Sequence, residues 1–215
     1  AAVAGGPILD LGAGTGRVAL DLAAAGHEVT ALDSDALLLD ELALRARQRG
    51  LEVACVHADA RSLVPAGPFS LVLAPMQFMQ IMGGALARAE VLAGVAGRLA
   101  PGAGFAAAIA DLDQAVAAED APPPLPDVGH SGDWIYSSLP LDVRPEPDGV
   151  AVEWLRQTVS PAGTLTEERH TQMLDSLTPE QLEREAAAHG LQPVARHEVS
   201  PTAAYVGSMV VVCRR

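Results

Sequence analysis

The strongest constraint on this chain is an alternation. From its first residues to about Asp111, short apolar runs take turns with stretches of helical spacing. Ile8-Leu9-Asp10-Leu11, Glu28-Val29-Thr30-Ala31-Leu32, Val53-Ala54-Cys55-Val56, Ser70-Leu71-Val72-Leu73 and Phe105-Ala106-Ala107-Ala108-Ile109 read as buried strands bounded by Gly, Pro or Asp. Between them, Val18, Leu22 and Ala25 before Gly26 form one helical stripe, Leu37, Leu38, Leu42 and Leu44 a second, and Leu92, Val95 and Leu99 before Pro101-Gly102 a third. Strand, helix, strand at this spacing predicts a parallel sheet with crossover helices on its faces.

After Asp111 the pattern changes. Ala121 to Pro126 is Pro-rich and predicts an irregular loop. Trp134 to Ser138, Val150 to Val159 and Thr164 to Met173 predict three strands, with turn signals at Pro147-Asp148-Gly149 and Ser160-Pro161-Ala162-Gly163. Connections that short imply an antiparallel meander. Thr178-Pro179-Glu180-Gln181 has a cap residue, Pro at the first helical position and Gln to complete a capping box, so a helix is expected to run from there to Gly190. Pro193 to Val199 and Tyr205 to Cys213 predict a terminal strand pair.

Where the first strand gives way to the first helix stands Asp10-Leu11-Gly12-Ala13-Gly14-Thr15-Gly16-Arg17. Glycine there allows a sharp turn and lets a ligand approach the backbone. A dinucleotide fingerprint, G-x-G-x-x-G, needs its third glycine at position 17, which is Arg17. That register speaks against a nicotinamide-dependent oxidoreductase. Asp33 ends the second strand, where a carboxylate can accept from both ribose hydroxyls of an adenosine ligand, and Asp59 follows the third. Either alone reads as a turn or cap residue. Together with the loop, at the carboxyl ends of consecutive strands, they mark the crevice where open α/β sheets bind ligands.

Ile8 to Arg17, Val29 to Asp35, His57 to Leu63, Phe69 to Met76 and Arg98 to Gly104 resemble, in order and spacing, the successive motifs of the class I S-adenosylmethionine (SAM)-dependent methyltransferases. The resemblance implies a Rossmann-like, seven-stranded, mostly parallel sheet of order 3-2-1-4-5-7-6, its last strand antiparallel, with the meander inserted between strand 5 and the last helix. Residues 1–215 then form a single methyltransferase domain, with 112–176 as an inserted loop and lid. SAM is the implied cofactor and S-adenosylhomocysteine the product. By the same resemblance the glycine loop, Gly12, Ala13, Gly14 and Gly16, faces the methionine part of SAM, and Asp10 helps to hold its amino group. Asp33 takes the ribose, Ser34 flanks the adenosine, Asp59 and the Ala60 amide recognise adenine, and the Ala74 carbonyl reaches the methionine ammonium.

Three departures from the family carry expectations of their own. Members usually have one or two helices before the first strand, so N-terminal helices are expected to be missing from this chain. Ser70 stands where the family often has Asp, a change expected to be structural only. Ala74-Pro75-Met76-Gln77 departs from the Asn/Asp-Pro-Pro-Tyr/Phe signature of enzymes that methylate base or glutamine amides, which argues against those substrates.

Methyl transfer from a sulfonium needs alignment and exclusion of water more than a dedicated base. Met76, Gln77, Phe78 and Met79 lie nearest the expected transfer point. Met76 and Gln77 are substrate candidates, and an amide at Gln77 suits orientation of a polar acceptor. The predicted meander holds Trp134, Tyr136 and Trp154, read as a lid, a subunit contact or a satellite core, and Arg156 is placed either to recognise an acidic acceptor or in a surface ion pair. His130 and His170 are the candidate proton acceptors.

The chain has 14 Lys plus Arg, all arginine, against 27 Asp plus Glu, for a net charge of -13. That balance disfavours nucleic acid as a partner, and Arg45, Arg47 and Arg49 read as a solvated helix face. No membrane span, secretion signal or metal site is expected, both Cys55 and Cys213 are expected to be inert core thiols, and the cytoplasm is the plain localisation. The leading expectation is a small-molecule N- or O-methyltransferase, with a homodimer through the meander in view. The alternatives are the oxidoreductase and a non-catalytic SAM-binding protein.

Overall fold

The computed structural model describes residues 5–62, 65–112, 126–202 and 207–215. In chain order the first elements are β1 (Ile8–Leu11), α1 (Ala19–Ala24), β2 (Val29–Asp33), α2 (Ala36–Gln48), β3 (Ala54–His57) and β4 (Phe69–Ala74). A 3-10 turn (Phe78–Ile81), α3 (Ala85–Arg98) and β5 (Leu99–Ala110) follow. Then come β6 (Asp127–Ser131), β7 (Trp134–Glu146), β8 (Gly149–Val159) and β9 (Leu165–Asp175), and finally α4 (Pro179–Ala188), β10 (Gln192–Val199) and β11 (Ser208–Arg214). They divide into two compact units.

The first unit comprises the described residues up to 110 together with 177–199 and 208–215. Its seven-stranded sheet has the order β10-β11-β5-β4-β1-β2-β3. Read within that sheet this is 3-2-1-4-5-7-6, with β11 antiparallel to β5, as expected. Alternation along the strands builds two apolar layers. Val29 and Ala31 face Leu20 of α1 and Leu39, Leu42 and Ala46 of α2. Leu9, Leu11 and Leu32 join Val91, Leu92 and Val95 of α3 and Leu182 and Ala186 of α4. Burying each of these leucines and valines contributes roughly 2 kcal/mol.

Several expectations need correction here. The run Leu37-Leu38-Leu39 leaves the helical phase of α2 open, and the phase is set by Asp35, whose carboxylate caps the helix by accepting from the Leu37 and Leu38 N–H groups. The buried stripe is therefore Leu39, Leu42 and Ala46, while Leu37 is 78% exposed. The strand expected to be buried at Val53 to Val56 is the sheet's outermost strand, and Cys55 is exposed where an inert core thiol was expected; Cys213 is buried. β5 starts six residues early, straight from the end of α3, because Pro101-Gly102 lie inside it as an irregularity. Phe69 pairs with Leu99 but Leu71 with Gly104, and the Gly102 N–H donates to the Arg215 carbonyl. Ser70 is structural: its hydroxyl and N–H both donate to the Pro7 carbonyl.

The second unit holds an antiparallel sheet of order β6-β7-β8-β9. It has four strands where three were expected. The strand expected at Trp134 to Ser138 continues to Glu146, with an irregularity between Pro140 and Asp142 that absorbs the donor missing at Pro140. Register places Tyr136 opposite Thr158, Ser138 opposite Arg156 and Pro140 opposite Trp154, with Trp154 in turn opposite His170. Trp134, Tyr136, Trp154, Arg156 and His170 therefore share one face of this sheet. His130, opposite Ile135, is on the other.

Candidate functional site

The carboxyl edge of the first sheet gathers the residues that the motifs pointed to. Parallel pairing sets Leu11 beside Leu32, and Asp33 beside His57, so β1, β2 and β3 deliver their ends to one edge. The loop leaving β1 turns through Gly12, Gly14 and Gly16 at φ of +67°, +54° and +92°. Side chains disfavour that region, so the three glycines are conformational requirements. The Ala13 N–H donates to the Leu32 carbonyl at 3.0 Å and the Gly16 N–H to Ala13 at 2.9 Å, which tie the loop to β2 and close its turn.

The three glycines differ in what surrounds them. A methyl group at Gly12 would stand 2.5 Å from Cδ2 of Phe78, and one at Gly16 would collide with Leu20 and Leu42. At Gly14 nothing lies within 4 Å. The Gly14 N–H donates to Oδ2 of Asp33 at 2.8 Å, and the Asp35 N–H to Oδ1 at 2.9 Å. Two backbone donors thus hold the Asp33 carboxylate beside the open side of the glycine loop.

Asp10 lies one residue before the end of β1, wholly buried, and neither carboxylate oxygen has a hydrogen-bond partner. Burial pushes its carboxyl up to about 7, the Ala19 amide works against this, and the charge of Asp33 adds to it. An orphaned buried carboxylate is costly, and a cationic ligand group would relieve it. That orphan, the open space at Gly14 and the pinned Asp33 fit a ligand that carries an ammonium and a ribose, as SAM does.

On the β3 side, Nε2 of His57 lies 3.1 Å from the Ser34 carbonyl and ties the ends of β2 and β3 together. Ser34 is exposed and Ala60 buried. Asp59 is turned onto Arg61: both oxygens accept from its guanidinium, at 2.6–3.0 Å, and Oδ1 also accepts from its backbone N–H. Those contacts hold the Asp59 carboxyl below its usual range.

β4 ends at the buried Ala74, and after Pro75 both Met76 and Gln77 have positive φ, +56° and +46°. Two successive non-glycine residues there store backbone strain of about 1–3 kcal/mol each. Met76 is 45% exposed, whereas Phe78 and Met79 are core residues, Phe78 lying against Gly12. The sequence missed Gln80. It is fully buried, its amide donating to the Ala110 carbonyl at 3.2 Å and its oxygen accepting from the Ala110 N–H at 2.8 Å. Its carboxamide replaces a neighbouring strand at the end of β5 and anchors the strained segment. A glutamine beside Phe78 and Met79 in an otherwise apolar run was the one available signal.

A second omission is Arg88, an arginine on the apolar stripe of α3 that is only 2% exposed. Its Nε and Nη2 meet both oxygens of Glu185 on α4 at 2.7 and 2.9 Å. Gln181, expected to close a capping box, instead donates to Glu185, and Thr178 alone caps the helix by accepting from the Gln181 N–H.

The cofactor candidates Asp10, Gly12, Ala13, Gly14, Gly16, Asp33, Ser34, Asp59, Ala60 and Ala74 and the acceptor candidates Met76 and Gln77 all belong to the first unit. Trp134, Tyr136, Arg156, His130 and His170 belong to the second, where Trp134 and Tyr136 are 43% and 44% exposed. Among the described residues no group of three or more His, Cys, Asp or Glu is arranged to hold a metal, and no helix is long and apolar enough to cross a membrane.

Comparison with known proteins agrees with this geometry. Residues 8–102 match the family model of a methyltransferase domain, which spans the glycine loop, Asp33, Asp59 and β4. No curated protein matches the sequence. Among solved structures, a SAM-dependent methyltransferase from Clostridium acetobutylicum superposes with a TM-score of 0.73 at 16% identity, over 97% of this chain and 83% of that one. The sugar N-methyltransferase KedS8 of Streptoalloteichus gives 0.71 at 16% identity, over 97% and 80%. SAM-bound CalS10, an amino pentose methyltransferase from Micromonospora echinaspora, gives 0.67 at 19%, over 98% and 84%. Likeness at such identities is one of fold. The family match from the glycine loop to the start of β5 is thus to a methyltransferase domain, and the described chain has the fold of the SAM-dependent methyltransferases.

Proposed function

We propose that this chain transfers a methyl group from SAM to a nitrogen or oxygen nucleophile of a small molecule. The observation that carries the reading is Asp10, a buried carboxylate with no partner, one residue short of a glycine loop whose Gly14 has open space above it. The residues to hold the cofactor are Asp10 for its ammonium, the Gly12–Gly14 backbone for its methionine part and Asp33 for its ribose. Ser34, Asp59 and Ala60 are assigned to the adenine side.

Bound SAM supplies a methyl carbon made electrophilic by the neighbouring sulfonium. What the protein adds is position. The two backbone donors to Asp33 fix one end of the binding line, and Met76 and Gln77, held in a strained turn by Gln80, form the segment assigned to the acceptor. An amine or hydroxyl oriented by Gln77 needs only alignment and exclusion of water to attack. The amino-sugar and sugar N-methyltransferases among the structural neighbours favour an amine on a polar, hydroxylated acceptor. Pairing of two copies through the four-stranded sheet is part of the same proposal, its outer strands β6 and β9 having edges that no other strand among the described residues pairs.

The test is calorimetry with SAM and S-adenosylhomocysteine, then label transfer from methyl-labelled SAM to a panel of amino sugars and small alcohols. Saturable binding, lost in Asp33→Ala, together with labelled product is the expected result. Absence of heat with either ligand would sink the assignment, and tight binding with no transfer to any acceptor would favour a non-catalytic SAM-binding protein.

A further inference from the structure

Asp59, assigned above to the adenine side of the cofactor, is already taken by an arginine of its own chain. The exocyclic amino group of an adenine brings N–H donors and no charge, so it needs a lone pair that nothing else holds. An ionised carboxylate offers about four acceptor positions on its two oxygens. Oδ1 of Asp59 accepts from the Arg61 backbone N–H at 2.9 Å and from Nε at 3.0 Å, while Oδ2 accepts from Nε at 3.0 Å and from Nη2 at 2.6 Å. Four contacts fill the four positions, and all come from Arg61. Asp33 differs: its two backbone donors, one to each oxygen, leave about half of its acceptor positions for a ribose.

The turn after β3 creates this pair. The Ser62 N–H donates to the Asp59 carbonyl at 3.1 Å and its hydroxyl to the same oxygen at 3.3 Å, which folds Arg61 back over Asp59. There the fork of a guanidinium matches a carboxylate side-on. The charge of Glu90 on α3 also draws Arg61, so a guanidinium that leaves Asp59 still has a carboxylate to answer it. The pair lies at the surface, with the Asp59 and Arg61 side chains 40% and 49% exposed. Water competes for both charges there, so a ligand can displace the arginine at small cost.

We propose that Arg61 sets the cofactor affinity of this site by competing with the adenine amino group for Asp59. The proposal rests on the cofactor reading given above. Adenine is held by Asp59 only in molecules whose Arg61 has released an oxygen, so the apparent affinity is the intrinsic one reduced by the fraction of such molecules. Removing the guanidinium brings that fraction to one. An arginine that merely braced the turn would act in the opposite sense, since its loss would loosen Asp59 and weaken binding.

The probe is S-adenosylhomocysteine, which has no net charge near neutral pH, so that deleting one cation leaves its long-range attraction unchanged. It is titrated by calorimetry into the full chain, Arg61→Gln, Asp59→Ala and the double variant. Arg61→Gln is expected to bind it about two- to fivefold more tightly than the parent, the range that an exposed pair supports. In the Asp59→Ala background the same substitution is expected to change nothing. Both side chains are partly exposed, so the variants are expected to fold, which their melting curves check. Unchanged or weaker binding in Arg61→Gln overturns the proposal and leaves the methyltransferase assignment standing. So does a tightening that persists without Asp59. A folded parent chain that gives no heat with the ligand overturns both.

Discussion

Asp10 shows how one side chain joins the stability of the free protein to its ligand chemistry. A carboxyl raised from 3.8 to about 7 holds its proton more tightly folded than unfolded. Between about pH 4 and pH 7 the folded state therefore loses stability as pH rises, by an amount on the order of 4 kcal/mol at most. Asp10→Asn removes this burden, so the variant should melt above the parent at pH 8, the two converging near pH 4, and it should bind S-adenosylhomocysteine more weakly. Parallel melting curves of parent and variant, with a constant offset across that range, would contradict the assignment. Asp33 was legible as a strand-end carboxylate from pattern alone, whereas Asp10 was singled out only through the family resemblance. The pairing of Asp59 with Arg61 was not legible, since it rests on a side-chain geometry that spacing leaves open.

At the level of elements, the parallel sheet and its glycine turn could be read because periodicity and turn chemistry are local signals, while the strand order followed from the resemblance to the methyltransferase family. Contacts made across the fold could not be read. Gln80 occupies the end of the β5 ladder and Arg88 reaches from α3 to Glu185 on α4, and neither partner is near in sequence. Gln80→Leu would leave both Ala110 backbone groups unpaired and should cost about 2–4 kcal/mol in urea unfolding. It should also raise hydrogen exchange in Met76 to Met79, and unchanged exchange there would mean that Gln80 does not anchor the turn. For the helix pair, burial pushes Glu185 up but Arg88 outweighs it and holds the carboxyl low. Arg88→Ala strands that charge and should cost about 3–5 kcal/mol, whereas Arg88→Met with Glu185→Leu should recover most of it in the same measurement. The phase of α2 was misread for a related reason: three successive leucines fit several faces, and only the cap at Asp35 selects one.

For the whole molecule, the division into two units has thermodynamic consequences. Cooperative unfolding as one step is the expectation for a single small domain, and two compact units allow separate openings. S-adenosylhomocysteine should stabilise the first unit by mass action and raise its calorimetric transition. The second unit should respond less, so the two midpoints move apart as ligand is added; a single midpoint that moves as one at every ligand concentration would show that the units unfold together. The chain also distributes its chromophores unevenly. Its two tryptophans, Trp134 and Trp154, are both in β7 and β8 of the second unit. Indole emission is therefore a built-in optical label on one unit only, and a denaturation curve followed by fluorescence counts the molecules in which that unit has opened. Two laboratories using different detectors would obtain two stabilities for this protein, each correct for the part that its signal comes from.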